Sequence, residues 1–248
     1  MKVDIHAHFE LLQDIDEKIE RCRKDNFHAI IANGINLEAN KLALSLSKKY
    51  SIIKPSLGLY PDELENLNDK QIEENFQFIE KNIKSIIALG EIGLDFSNPS
   101  WNKEKQVKVF EKFIQLGKKY NLPLIIHSRK AEKEVLNILE KSKAGKVILH
   151  CFSGNFNLIK RAFELNYNFS IPCTIVKSEH FQKLVKEANI ENLLTESDSP
   201  FLSPFKDKKN EPFFINETLK KIAEIKQISE KQAEDKIFFN YKNLFETK

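Results

Sequence analysis

The chain has 248 residues, of which 41% are hydrophobic and 30% are charged. This balance is typical of a folded globular protein and excludes a disordered chain or a collagen-like fibre. Thirty-nine basic and 36 acidic residues leave a formal net charge of +3, well short of the positive charge of a dedicated nucleic-acid coat protein. No apolar run approaches the roughly 18 residues that span a bilayer, so we expect no membrane association.

Eight short apolar runs, rich in Ile, Val and Leu, recur along the chain, and a charged amphipathic stretch follows each of them. Their ends lie about 20–36 residues apart, which is the length that one strand, one helix and two loops require. The runs end near His8, Asn33, Gly58, Glu91, His127, His150, Ile171 and Ser197. We therefore predict an α/β fold that repeats a strand and a helix eight times.

Continuous runs of apolar residues, such as those at 86–89 and 122–126, predict strands that are buried on both faces, as in a parallel sheet. Eight such units in this length favour a single (β/α)8 barrel, one domain over residues 1–248. A doubly wound open sheet is the alternative. Near the carboxyl terminus, Ser229 and Gln232 predict a capping box that opens the last helix. The apolar face of that helix is expected to carry Ala233, Ile237, Tyr241 and Leu244.

The start of the chain and its cysteines predict a cytoplasmic protein. Polar residues occupy positions 2, 4 and 6, where a secretory signal would place its apolar core. The three cysteines, Cys22, Cys151 and Cys173, are scattered and form no Cys-x-x-Cys pair. An odd, dispersed set of this kind favours a reducing compartment over a disulfide framework or a zinc ribbon.

Residue types that bind metals stand at the ends of the apolar runs. Four of the six histidines, one glutamate and one aspartate do so, namely His6, His8, Glu91, His127, His150 and Asp198. In a barrel these positions converge on the carboxyl-terminal rim, where the active sites of this fold lie. Imidazole and carboxylate ligands without thiolates suit zinc, manganese or magnesium. The remaining histidines, His28 and His180, are interpreted as structural.

Six candidate ligands are more than one four-coordinate ion requires, so we expect two divalent ions. A carboxylate such as Glu91 can bridge ions about 3.5–4 Å apart. His6, His8 and Asp198 would then complete one ion's ligands, and His127 and His150 the other's. Two ions so placed activate a water for attack on phosphorus.

Five ordered segments resemble the TatD family of metal-dependent hydrolases, which are commonly deoxyribonucleases of the amidohydrolase superfamily. These segments are 4–8 (DIHAH), 90–95 (GEIGLD), 123–129 (PLIIHSR), 150–154 (HCFSG) and 196–202 (ESDSPFL). The resemblance implies a TIM-like barrel and a two-metal centre supported by Mg²⁺ or Mn²⁺. It also implies hydrolysis of DNA, often as a 3′ exonuclease on single strands, by a protein that we expect to be a monomer.

Five residues receive specific roles in this hypothesis. Asp198 is expected to orient the attacking water and accept its proton, beside Glu91 as the other catalytic carboxylate. Arg129 is expected to clamp a phosphate. Tyr60 stands where the family often has histidine in a Gly-x-His-Pro segment, and we expect it to contact substrate by a hydrogen bond or by stacking on a base. Asp95 is expected to orient a ligand histidine.

Two other functions remain open from the sequence. The same activated water can attack a carbonyl carbon, as in an ester or amide hydrolase such as a D-aminoacyl-tRNA deacylase, and Tyr60 in place of histidine leaves that reading open. The second alternative is a non-catalytic protein that binds metal and nucleic acid. Cleavage of DNA by the purified protein separates both alternatives from a nuclease.

Overall fold

The computed structural model describes residues 1–247, which form eight β-strands and nine α-helices. The strands are β1 (Lys2–Ala7), β2 (Phe27–Asn33), β3 (Ile53–Leu57), β4 (Ala88–Asp95), β5 (Leu124–Arg129), β6 (Val147–His150), β7 (Asn168–Pro172) and β8 (Leu193–Glu196). The helices are α1 (Ile15–Lys24), α2 (Leu37–Lys49), α3 (Asp69–Lys81), α4 (Lys103–Tyr120), α5 (Glu132–Lys141), α6 (Phe156–Glu164), α7 (Glu179–Glu187), α8 (Ile215–Lys226) and α9 (Glu230–Tyr241). Within this range, no helix combines the length and the apolar character needed to cross a membrane.

All eight strands belong to one sheet, and strands that are consecutive in the chain pair in parallel. The backbone also joins β1 to the segment that follows β8. The Asp198 N–H donates to the His6 carbonyl at 2.8 Å, and the His8 N–H donates to the Ser199 carbonyl at 2.9 Å. The sheet therefore curves into a nearly closed barrel. The predicted (β/α)8 barrel is confirmed, and the doubly wound open sheet is wrong.

Side chains complete the junction between β1 and β8. The buried Asp4 carboxylate accepts hydrogen bonds from the Ser197 backbone N–H at 2.8 Å and from the Ser197 hydroxyl at 2.6 Å. The Thr195 hydroxyl donates to the Val3 carbonyl at 2.6 Å. Burial raises the pKa of Asp4 to about 8. These bonds hold β1 and the segment after β8 together, which fixes the ligand-type residues of both relative to each other.

Asparagine and serine residues begin most of the helices. Asn36, Asn102 and Ser178 each accept a hydrogen bond from a backbone N–H of the first helical turn, which has no partner within the helix. Ser229 forms the predicted capping box with Gln232 at the start of α9. The face of α9 that packs on the barrel carries Ala233, Ile237 and Tyr241, as expected. Leu244 lies beyond α9, in the final turn Lys242–Glu246, where it is half-buried.

Two strands extend further than the apolar runs indicate. β4 continues four residues past Glu91 to Asp95, and β5 continues two residues past His127 to Arg129. Gly93 permits this close pairing because it has a φ of 142° and packs against the His127 backbone so tightly that a Cβ atom would not fit. Polar residues interrupt the apolar runs here, so the strand ends predicted from the sequence come too early.

Candidate metal centre

The structure brings the six predicted ligand residues together at one end of the barrel. His6 and Glu91 lie within β1 and β4, and His127 lies within β5. His150 ends β6, whereas His8 and Asp198 follow β1 and β8 directly. Their convergence arises because parallel strands all present their carboxyl ends on the same rim. His6 and His8 point to the same side because side chains two residues apart along an extended chain share a face.

One group of donors consists of His6, His8 and Asp198. The Nε2 atoms of the two imidazoles lie 3.1 Å apart. Asp198 Oδ1 lies 3.3 Å from Nε2 of His8 and 3.8 Å from Nε2 of His6. One donor atom from each residue therefore lies within 4.8 Å of the other two, close enough for all three to contact a single cation.

A second group consists of Glu91, His127 and His150, and its donor atoms also lie within 4.8 Å of one another. Glu91 Oε1 is 2.9 Å from Nδ1 of His127 and 3.8 Å from Nε2 of His150. The His150 ring stacks on the His6 ring, with centroids 3.8 Å apart. The two groups are therefore adjacent.

Glu91 lies between the two groups and presents one carboxylate oxygen to each. Its Oε1 faces His127 and His150, as described. Its Oε2 lies 3.3 Å from Nε2 of His6 and 3.5 Å from Nε2 of His8. Glu91 is only 2% exposed, so solvent has little access to its carboxylate. This is the geometry expected of a residue shared by two cation sites.

The pKa values of the buried ligand-type residues are shifted by burial and by their charged neighbours. Burial favours protonated Glu91 and Asp198, but the imidazoles around them outweigh it and lower the pKa of both carboxyl groups. Burial also opposes protonation of His8, yet Asp198, Glu10 and Glu91 outweigh it and raise the pKa of His8 well above its ordinary value. Burial and the neighbouring His150 lower the pKa of His6 to about 4.

These observations fit a pair of divalent cations. Glu91 and Asp198 are ionised and His6 is neutral, which are the forms in which these residues bind metals. His8, whose pKa is raised, would release a proton on binding a cation. Within the described residues, no lysine or arginine pairs with Glu91 or Asp198. The compensating charge must come from protons on the imidazoles or from bound cations. Hard carboxylate oxygens beside imidazole nitrogens suit magnesium, manganese or zinc.

Two further carboxylates contact the ring nitrogens of His127 and His150 that do not face Glu91. Asp95 Oδ2 lies 3.2 Å from Nε2 of His127, as the sequence predicts. Glu196 Oε2 lies 2.7 Å from Nδ1 of His150 and accepts a hydrogen bond from the Ser170 hydroxyl. Burial lowers the pKa of His150, but Glu196 outweighs it and the net effect raises the pKa to about 9. Glu196 has no role in the site predicted from the sequence.

We expect Glu196→Gln to lower activity about 10- to 100-fold, the usual cost of removing a carboxylate that orients a ligand histidine. Glutamine keeps the size of the side chain but can present its amide nitrogen to His150 Nδ1, which leaves the ring tautomer unfixed. The measurement is kcat/KM for the expected hydrolysis of single-stranded DNA, at saturating and at limiting Mn²⁺. A loss at limiting Mn²⁺ that saturating Mn²⁺ partly restores supports the orienting role, whereas unchanged kcat/KM at both contradicts it.

Tyr60 and Arg129 occupy different parts of the same cleft. The Tyr60 hydroxyl donates to Asp95 Oδ2 at 3.3 Å and lies 3.2 Å from Nε2 of His127. Tyr60 therefore contacts both His127 and Asp95, the carboxylate that holds His127. Arg129, at the end of β5, is exposed, and its guanidinium forms no hydrogen bond or ion pair with any of the described residues. It is free to bind an anion at the mouth of the cleft.

The cleft above the six residues has a volume of about 670 Å³. Tyr60, Asp62 and Glu63 line it on the side of β3, Arg129 lines it on the side of β5, and Phe201 follows β8. The two remaining histidines lie elsewhere, as predicted. His28 Nε2 is 2.6 Å from Glu246 Oε1, and His180 Nε2 is 3.1 Å from the Phe152 carbonyl oxygen.

Known proteins resemble this chain over almost its full length. The family model described as TatD related DNase matches residues 3–246. An uncharacterized metal-dependent hydrolase of Methanocaldococcus jannaschii is 36% identical over 241 residues, covering 96% of this chain and 94% of the relative. The deoxyribonuclease TATDN3 of Homo sapiens is 34% identical and covers 92% of this chain and 88% of its own length.

A solved structure agrees with these sequence matches. The crystal structure of YjjV, a TatD homologue from Escherichia coli, superposes with a TM-score of 0.91 at 25% identity. The superposition covers 100% of this chain and 98% of that one. The barrel and the order of its elements are therefore shared along the whole chain.

Proposed function

Because this chain belongs to the TatD-related DNase family and is a metal-dependent hydrolase, we propose that it is a deoxyribonuclease that uses two divalent ions. The position of the Glu91 carboxylate carries this proposal, since its two oxygens face two separate groups of imidazoles. A single ion bound by one of these groups would leave the Glu91 oxygen and the imidazoles of the other group without a cation. The preference for single strands and for the 3′ end rests on the family resemblance.

The reaction is hydrolysis of a phosphodiester by water. Two divalent ions held by these residues would supply positive charge that activates water and neutralises the charge developing on the phosphate oxygens. The water oxygen bonds to phosphorus, the bond from phosphorus to the leaving oxygen breaks, and the leaving oxygen takes up a proton to become a hydroxyl group. Asp198 accepts the proton of the water, because its carboxylate is ionised and lies at the edge of the six residues, lining the cleft.

Two other side chains position the substrate and the ligands. The Arg129 guanidinium is exposed at the mouth of the cleft and can grip two oxygens of one phosphate. Tyr60 acts on His127 through the hydrogen bond that it shares with Asp95. Tyr60 also lines the cleft, so the substrate contact predicted from the sequence stays a prediction beside this positioning role.

Purified protein incubated with single-stranded DNA and Mg²⁺ or Mn²⁺ is expected to shorten it one nucleotide at a time from the 3′ end. The products of a 5′-labelled oligonucleotide are resolved by length, with EDTA as the control and a duplex of the same sequence for comparison. A ladder that EDTA abolishes supports the proposal. DNA that stays intact while a chiral aminoacyl ester is hydrolysed replaces it with a carbonyl hydrolase. Metal-dependent DNA binding without cleavage of either substrate replaces it with a non-catalytic protein.

A further inference from the structure

Two exposed apolar side chains lie at the mouth of the cleft. Phe201 is 52% exposed and Leu11 is 45% exposed, and both line the cleft. The Phe201 ring stands edge-on to His8, with centroids 6.1 Å apart. Phenylalanine has no hydrogen-bonding group, so its only strong interactions are with apolar or aromatic surfaces. A ring held open to solvent beside the centre is therefore a surface for a flat partner.

The loop that carries Phe201, here called the β8–α8 loop (residues 199–211), is fixed at its base. The Phe201 N–H donates to the Asp198 carbonyl at 2.8 Å, and the Asn210 N–H donates to the Pro200 carbonyl at 3.1 Å. Asn210 is buried, and its side-chain amide donates to the Ser197 carbonyl. Both ends of the loop are thus held at the end of β8. The backbone of Phe201 is therefore anchored beside Asp198.

Basic residues outnumber acidic ones in the rest of the β8–α8 loop, which has three lysines against Asp207 and Glu211. Lys206, Lys208 and Lys209 are exposed, and within the part of the chain that the structure describes none of them forms an ion pair with an acidic side chain. The ammonium group of Lys208 lies over the ring of Phe205, 5.8 Å from its centroid. The opposite, β3 side of the cleft carries Asp62 and Glu63. A polyanion is therefore attracted towards the loop and repelled from the β3 side.

We propose that the β8–α8 loop is the strand-binding element of the enzyme. Phe201 stacks on the nucleobase next to the scissile phosphate, and the three lysines bind phosphates further along the same strand. Aromatic rings combined with lysines are the usual means of holding single strands without reading their sequence, because every base has a flat face. The inference rests on the proposed nuclease function and identifies the part of the substrate that this surface recognises.

The stacking is tested with two oligonucleotides that differ only in whether the 3′-terminal nucleotide carries a base. We expect the wild-type protein to prefer the intact substrate in kcat/KM by about 5- to 150-fold, the range that one stacked base contributes. Phe201→Ala should reduce this preference to about one, and Phe201→Trp should retain it. Phe239→Ala is the matched control, because Phe239 is 59% exposed but lies on α9 away from the cleft. That variant should keep the wild-type preference.

A binding measurement gives a readout independent of cleavage. An oligonucleotide with 2-aminopurine as the terminal base is titrated with protein in EDTA, and the fluorescence should fall with wild type and Phe201→Trp but not with Phe201→Ala. If wild type cleaves DNA but Phe201→Ala keeps both the base preference and the quenching, the stacking inference is wrong. If wild type cleaves neither oligonucleotide, the nuclease proposal itself is wrong. The two failures are therefore distinguishable.

The lysines are tested through the salt dependence of strand binding. Replacing Lys206, Lys208 and Lys209 together with glutamine should reduce the slope of log affinity against log salt by about 2, since each phosphate contact on a single strand contributes about 0.7. The control replaces three lysines at the other end of the barrel, Lys118, Lys119 and Lys141, and should leave the slope unchanged. An equal reduction in both variants, or in neither, contradicts the assignment of this loop to the strand.

Discussion

Glu91→Gln is expected to abolish hydrolysis and to reduce the divalent ion that each chain retains, while the barrel stays folded. The substitution preserves the shape of the side chain but removes the negative charge that both imidazole groups face. Removing a residue that only orients a ligand costs about 10- to 100-fold. Because Glu91 would contact both ions directly, we expect kcat/KM to fall by more than about 100-fold.

Three measurements check this expectation. Bound metal is quantified after dialysis, kcat/KM is measured on a single-stranded oligonucleotide, and circular dichroism reports the fold. Mn²⁺ should raise the melting temperature of the wild type, because a ligand that binds only the folded state stabilises it, and this rise should shrink in the variant. Glu80→Gln is the control, since Glu80 is exposed and pairs with Lys119 away from the cleft. Retention of two ions and full activity in Glu91→Gln would remove its bridging role.

The sequence predicts the barrel and the rim well because both depend on short-range patterns. Buried parallel strands require continuous apolar residues, and those runs are visible without knowledge of their partners. The ligand-type residues then follow from position, because the carboxyl ends of all strands meet at one rim. The His6 and His8 pair needs only the two-residue repeat of a strand. These features require no information about which distant residues touch.

The supporting contacts depend on pairs that are far apart in the chain, so the sequence reveals few of them. Glu196 holds His150 across 46 residues, and nothing near Glu196 indicates that its carboxylate turns inward. Buried Gln106 in α4 accepts a hydrogen bond from the Asp95 N–H at 2.9 Å, which fixes the end of β4. The position of Tyr60 beside Asp95 likewise depends on how β3 and β4 meet. Such contacts are set by packing and have no local signal.

The surroundings of exposed side chains are equally hard to predict from the sequence. Phe201 follows a metal-ligand segment and reads as an ordinary apolar residue, since apolar letters usually indicate burial. The exposure of its ring and the hydrogen bonds at the base of the β8–α8 loop are visible only in the folded structure. Arg129 is identifiable as a candidate from the sequence, but its lack of an acidic partner among the described residues is visible only in three dimensions.

Asp198→Asn should separate proton transfer from metal binding. Asparagine retains an oxygen that can face His6 and His8, so we expect the variant to keep most of its bound metal, unlike Glu91→Gln. It cannot accept the proton of the attacking water, and the loss of a general base typically costs about 10²- to 10⁴-fold. We therefore expect kcat to fall in that range, while the affinity for single-stranded DNA changes by less than about threefold.

Single-turnover cleavage, bound-metal content and strand binding are measured on the same preparation of Asp198→Asn. Asp62→Asn provides a matched control, because Asp62 also lines the cleft but bonds to none of the six ligand-type residues. Its kcat should not fall. If Asp198→Asn loses metal and activity in equal proportion, Asp198 acts as a ligand alone and another group accepts the proton. If metal content is kept while kcat falls, Asp198 does more than hold the ion, as expected of the base that accepts the proton.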